Sequence, residues 1–262
     1  MVEQHDEASS FGVLILHGFT GTLESVKALY APLQKLGITV SMPLLMGHGQ
    51  DSPEALRGVR WNEWLFDAEL ALQKLSQDHD RIIVIGHSMG ALLALNLAIN
   101  YPDQVDSVVL AAPAVKLVSI FAPGRPMQFI APLISKLFKN WELKTIFADP
   151  ECVGVISHYS WVPTNAIISF FELIKQTLQQ LCRVTVPVLV VQCRKDSTVL
   201  PESVTILFNN IATQPSEKSL YWLEHSDHQL FCDGERAKAV QVIIDYVYSR
   251  MYRSGVQADA DY

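Results

Sequence analysis

The tightest constraint on this chain lies at Gly86-His87-Ser88-Met89-Gly90. Before it, Arg81–Ile85 is a β-branched run of strand character. After the serine, Met89–Ile99 is apolar almost all the way round, as a helix packed into an interior would be, and Tyr101-Pro102 ends it. Strand must therefore turn into helix with no loop between. In such a turn the residues two before and two after the apex approach each other, so glycine is favoured at both places. Ser88 sits at the apex, exposed and in a strained backbone conformation, which is the context the G-x-S-x-G motif requires. The turn also puts the Met89 N–H at the helix amino end, where an unpaired donor and the helix dipole can meet a developing oxyanion.

The remaining apolar runs, Gly12–Leu16, Ile38–Met42, Ser107–Leu110, Val186–Gln192 and Ser219–Leu223, are mostly uninterrupted rather than alternating. Such runs suit strands covered on both faces. Between them lie helical patterns at Ser25–Lys35, at Trp61–Ser76 and at Ala237–Tyr252; the second carries Trp61, Trp64, Leu65, Ala68, Leu72 and Leu75 along one face. The alternation predicts an α/β fold, a mainly parallel twisted sheet with helices on both faces. It breaks between Pro113 and Arg183, where Pro123, Pro126, Pro132, Pro150 and Pro163 punctuate short helical patterns. We read this segment as a mostly helical insertion within a single domain spanning residues 1–262. Its stripe of Ile167, Phe170, Phe171, Ile174, Leu178 and Leu181 is able to pack onto the sheet.

A chain of 262 residues, 49% hydrophobic and 18% charged, can bury a large core, which excludes a mainly disordered protein. With 27 acidic against 20 basic residues, a formal charge of −7, it has no overall basic field for phosphates, and nucleic acid is not an expected partner. Cys152, Cys182, Cys193 and Cys232 form no C-x-x-C pair and read as free thiols. The first residues, Met-Val-Glu-Gln-His-Asp-Glu, are acidic where a signal peptide is basic, and no run approaches the roughly 18 apolar residues of a membrane span. These features predict a cytoplasmic protein without a transmembrane segment. The tail from Ser254 to Tyr262 is expected to fray.

A nucleophilic serine needs a general base, and the base an acceptor that fixes its tautomer. Asp196 follows the run Val186–Gln192 and so falls at the sheet's carboxyl edge with Ser88; it is the expected acid, ahead of Asp106 and Glu224 at or inside strand limits. After the last strand, Glu224-His225-Ser226-Asp227-His228 offers two histidines as base. His228, farther into the loop, is preferred, and His225 stays open on this ground alone. A metal held by the two histidines and Asp227 lacks further ligands. Near the start, His17-Gly18-Phe19-Thr20-Gly21 lays a loop across the same sheet edge, making the Phe19 N–H a second oxyanion donor beside Met89, with His17 structural. The glycine loops lack the dinucleotide pattern, and no cofactor or metal is expected.

Taken together, the HGFTG loop, Gly47-His48-Gly49 after Pro43, the GHSMG turn, Asp196 after the penultimate strand and the E-x-S-x-H ending resemble the α/β-hydrolase superfamily. Within it they resemble the bacterial carboxylesterase and monoacylglycerol lipase group, from about Phe11 to Tyr252. The resemblance implies a triad of Ser88, Asp196 and His228, oxyanion donors at Phe19 and Met89, a cap at Pro113–Arg183, and a bracing role for Gly47-His48-Gly49. It also settles the base on His228, although the residue before it is Asp227 where the group has glycine. The group usually opens with one or two further strands before the HG loop, so an edge strand is expected to be missing or very short.

The expected activity is hydrolysis of short- to medium-chain aliphatic esters or monoacylglycerols through an acyl-enzyme, with a small lipid-like ester as partner and a monomer or homodimer as the assembly. Phe121, Phe129, Ile130, Leu133, Leu137 and Trp161 are the expected acyl-pocket residues. Glu142, Asp149, Glu151 and Glu172 would serve an aminopeptidase reading. Acyl transfer and thioester hydrolysis use the same triad, and a non-catalytic receptor is the alternative from another class.

Overall fold

The computed structural model describes residues 11–144, 146–152 and 159–253. Its strands are β1 (Phe11–Leu16), β2 (Thr39–Ser41), β3 (Arg81–His87), β4 (Val105–Ala111), the short pair β5 (Asn140–Glu142) and β6 (Trp161–Pro163), β7 (Val188–Cys193) and β8 (Lys218–Leu223). Six of them form one sheet in the order β2-β1-β3-β4-β7-β8, with every pairing parallel, while β5 and β6 pair antiparallel on their own. The helices are α1 (Tyr30–Lys35), α2 (Trp61–Leu75), α3 (Met89–Asn100), α4 (Ala131–Leu137), α5 (Thr164–Gln180), α6 (Glu202–Asn210) and α7 (Arg236–Arg253).

The uninterrupted apolar runs are explained by where alternate residues point. Leu14, Leu16, Ile82, Val84, Val108, Leu110, Val188 and Val190 face one layer, where α2, α3, α5 and α6 contribute Trp64, Leu72, Leu93, Ile174 and Leu207. Val13, Ile15, Ile83, Ile85, Val109, Leu189 and Val191 face the other, where Leu33 of α1 and Ala239, Ile243 and Val247 of α7 cover them. Helix α3 is buried along nearly its whole length, as its all-round apolar sequence requires. The α5 stripe docks as expected, and Asn96 of α3 donates to the Thr177 hydroxyl of α5 at 2.7 Å inside that layer.

Three local readings change. The helix expected from Ser25 is α-helical only over Tyr30–Lys35, preceded by single 3-10 turns at Leu23–Ser25 and Lys27–Leu29. Pro32 is the cause: in a longer helix it would have no N–H for the Ala28 carbonyl and its ring would clash there, whereas the first turn tolerates it. Strand β7 starts at Val188 because Pro187 cannot donate to the ladder. Strand β8 lies at the sheet margin with Ser219, Leu220 and Tyr221 exposed, so this run is an edge rather than a covered strand.

Among the described residues no strand precedes β1, and the expectations for the first ten residues and the tail lie outside the described residues. Among those described, no helix is long and apolar enough to cross a membrane. Parallel order sends the ends of β1, β3, β7 and β8 to one edge, where open α/β sheets bind ligands.

Candidate active site

Ser88 occupies the turn between β3 and α3 with φ 55° and ψ −111°, a conformation non-glycine residues avoid. The two glycines make it possible. A β-carbon on Gly86 would fall 2.2 Å from the Gly90 carbonyl oxygen, and one on Gly90 would fall 2.2 Å from the Leu16 carbonyl oxygen. The Ser88 N–H donates to the Ala111 carbonyl at 2.8 Å, pinning the apex to the end of β4.

Three loops converge on the hydroxyl. His228 Nδ1 lies 3.0 Å from Asp196 Oδ2 and its Nε2 2.9 Å from Ser88 Oγ. With the Nδ1–H donating to the carboxylate, Nε2 is left to accept from the serine hydroxyl. Asp196 is itself held: Oδ1 accepts the Thr198 and Val199 N–H groups at 2.9 and 2.7 Å, and Oδ2 also accepts the Gln192 amide at 3.1 Å. Burial would push the Asp196 carboxyl up, but the neighbouring His228 charge and these hydrogen bonds together hold it below the usual carboxylate value. For His228, burial favours the neutral ring, and the charges of Asp196 and Asp227 with the Asp196 hydrogen bond outweigh it, raising the pKa above 6.5.

The HG loop passes directly over the serine, since a β-carbon on Gly18 would lie 3.2 Å from the Ser88 β-carbon. Thr20 bends the loop with φ 61°, and the Gly21 N–H closes it on the Gly18 carbonyl at 3.0 Å. Met89 is the first residue of α3, where N–H groups have no partner within the helix. His17 is structural: its Nε2 accepts the Leu45 N–H at 3.2 Å while Nδ1 donates to Gly18 O at 2.9 Å, and burial lowers its pKa to about 4. His48 packs edge-on against it, buried, within the turn that Gly47 and Gly49 form at φ 77° and 66°.

The rivals are placed elsewhere. Asp106 pairs with Arg81 and, at 2.9 Å, with Arg250, away from the carboxyl edge of the sheet. Glu224 pairs with Arg194 at 3.1 Å, both exposed, and His225 is exposed with its N–H on Glu235. His228 is thus the histidine that reaches Ser88.

Residues 9–235 match the family described as serine aminopeptidase, S33, a family of α/β hydrolases. The chain belongs to that family. A thermostable monoacylglycerol lipase of Bacillus sp. is 30% identical over 92% of this chain and 91% of its own length. A carboxylesterase of Bacillus subtilis is 27% identical over 90% and 91%. Among solved structures, one reported with the metagenome-derived lipolytic enzymes LipS and LipT superposes with a TM-score of 0.79 at 26% identity, covering 92% of this chain and 95% of that one. These likenesses make the protein a serine hydrolase of the ester-cleaving branch.

In this hydrolase the serine opens on two joined spaces. A cleft over the serine is lined by Gly18, Thr20, Ser88, Lys144, His228 and Gln229 among others. It shares Phe19, Leu117, Leu143, Phe170 and Thr198 with an apolar cavity of about 230 Å³, whose further walls include Phe121, Ala131, Ile134, Ile168 and Phe171. Of the six expected pocket residues only Phe121 lines this cavity. Phe129, in the single turn before α4, is 86% exposed, and Leu137 at 71% and Leu133 are exposed because α4 turns its other face, Ala131 and Ile134, inward. Trp161 instead lines a cleft beside Asn140 and Glu142.

Several site residues escape the sequence reading. His87 donates from Nε2 to the His228 carbonyl at 2.9 Å, and burial drops its pKa to about 3, so it braces the histidine loop as a neutral ring. Gln192 supports Asp196 from within β7, and a lone polar residue four positions before Asp196 gave no signal in an apolar run. Asp227 and Asp233 take main-chain N–H groups of the loops around His228. Their one legible sign is Asp227 standing where the resemblance has glycine.

Proposed function

We propose that the protein hydrolyses esters of short- to medium-chain aliphatic acids, monoacylglycerols among them, through an acyl-enzyme on Ser88. The observation that carries this reading is the hydrogen-bonded chain from Asp196 through His228 to Ser88, opening onto an apolar cavity. Neutral His228 accepts the Ser88 proton at Nε2 as Oγ attacks the ester carbonyl. The carbonyl oxygen becomes an oxyanion facing the Phe19 and Met89 N–H groups, while Asp196 stabilises the imidazolium. His228 then returns its proton to the departing alcohol as the C–O bond breaks. A water deprotonated by the same nitrogen attacks the acyl carbon, and the acid leaves as the proton passes back to Ser88 Oγ.

The cavity wall supports the aliphatic preference, and the Bacillus relatives named for monoacylglycerol and carboxylic-ester cleavage support the substrate class. Segment 113–183 fits a cap within a single domain, since α4 and α5 wall the cavity while α5 packs onto α3. An amine-binding cap is disfavoured: Glu142, Asp149, Glu151 and Glu172 line neither the cleft at Ser88 nor the apolar cavity. Four free cysteines support a reducing, cytoplasmic setting.

Initial rates on p-nitrophenyl esters from acetate to palmitate, with Ser88→Ala alongside, test the proposal. Turnover peaking at short to medium chains and lost in the variant is expected; wild-type turnover retained by the variant, or none at any length, overturns it.

A further inference from the structure

The residue before the histidine base is where this chain departs from the pattern it resembles, and the structure gives the departure a job. Asp227 is buried, with 5% of its surface exposed. Among the described residues no lysine or arginine is paired with it; its Oδ1 instead accepts the Ser197 N–H at 2.8 Å, the Ser197 hydroxyl at 2.9 Å and the His228 N–H at 2.6 Å. Ser197 adjoins Asp196, so a single carboxylate oxygen ties the main chain of the acid loop to that of the base loop. Glycine could not do this. Asp227 is in turn anchored through its own N–H to Asp233 Oδ2 at 2.7 Å, and Asp233 also accepts the Ala148 and Asp149 N–H groups, both at 2.9 Å.

We propose that Asp227 is a positioning residue for the reaction: it clamps the Asp196 loop to the His228 loop and sets a second negative charge beside the imidazolium that forms as Ser88 attacks. This rests on the hydrolase mechanism above. The groups facing His228 are few. Asp196 bonds the ring, His87 lies with its ring 5.1 Å away and neutral, Lys144 lines the same cleft, Asp233 accepts the Asp227 N–H, and Asp227 adds to the charge that raises the His228 pKa.

Two substitutions separate the clamp from the charge. Asp227→Asn keeps an oxygen for the same three donors and loses the charge. Asp227→Ala loses both. The measurements are kcat and KM on a p-nitrophenyl ester across pH, the rate at which a fluorophosphonate labels Ser88, and the thermal unfolding midpoint of each variant. For Asp227→Asn the acid limb of kcat/KM and of labelling moves down by on the order of one pH unit, with KM little changed. For Asp227→Ala kcat falls by roughly 10–100-fold at similar KM and full folding, and Asp227→Asn recovers most of it. An acid limb that stays in place in Asp227→Asn overturns the electrostatic half. A kcat in Asp227→Ala that follows only its folded fraction overturns the clamp. Wild type that neither turns over ester nor labels at any pH is a failure of the hydrolase mechanism itself, distinct from either.

Discussion

At the scale of the residue, Ser88 shows how much of a site can be forced by two neighbours. Its backbone conformation costs on the order of 1–3 kcal/mol, and it persists because Gly86 and Gly90 leave no β-carbon in the way and the Ala111 carbonyl takes its N–H. Gly90→Ala should therefore damage the fold as well as the chemistry. The new methyl falls on the Leu16 carbonyl of β1, so a loss of about 3 kcal/mol or more is expected in urea unfolding. A second expectation concerns pH. His228 works only when neutral, and its pKa is raised above 6.5, so kcat/KM should decline as pH falls through a value above 6.5. A rate unchanged from about pH 9 down to about pH 5 would contradict the proposed base. Ser88 and Asp196 were legible because each stands at or within three residues of the end of a strand whose apolar run is plain. His225 and His228 could not be separated from residue types alone; the loop's path, fixed by Asp227, Asp233 and His87, decides between them.

At the scale of the element, legibility followed length. Helices α2 and α5 run long enough for a periodic stripe to declare which face is buried, and the structure buries that face, while α3, apolar all round, is buried on every side. Helix α4 has seven residues and opens with a proline in its first turn, too short a pattern to show that Ala131 and Ile134 turn inward while Leu133 and Leu137 face out. The cavity wall was hidden for that reason. Ala131 offers the cleanest test of it, being small, buried and on the wall. Ala131→Phe should fill the apolar cavity and leave the cleft at Ser88 open. Octanoate and decanoate esters should then slow by roughly tenfold in kcat/KM while acetate keeps its rate, in line with the 1–3 kcal/mol that a blocked hydrophobic pocket costs. Equal slowing of acetate would place the acyl chain elsewhere.

At the scale of the whole molecule, the chain buries three histidines as neutral rings at neutral pH. His17, His48 and His87 are each almost fully enclosed, and burial lowers their pKa values to about 4, about 3 and about 3. Each is depressed below the ordinary 6.5 of an unfolded chain, so between 6.5 and the folded value the unfolded state holds the extra proton. Stability is full above 6.5 and drains as pH falls through that window. His228 does not offset this, because a raised pKa contributes its stability fully below 6.5 and loses it only at higher pH. Asp196 and Asp233, both held below the usual carboxylate value, extend the loss once pH drops under about 4. The three histidines also stand at the HG loop, the Gly47–Gly49 turn and the serine turn, so their protonation would strike the site and the fold together. Stability from urea unfolding should fall between about pH 7 and about pH 5 with a slope that steepens toward three protons taken up on unfolding, of the order of 4 kcal/mol per pH unit by about pH 5. His48→Gln, which removes one of the three groups without touching Ser88, Asp196 or His228, should flatten that slope by about one proton. A slope near zero in the wild type would mean that these rings find a way to ionise inside the folded protein.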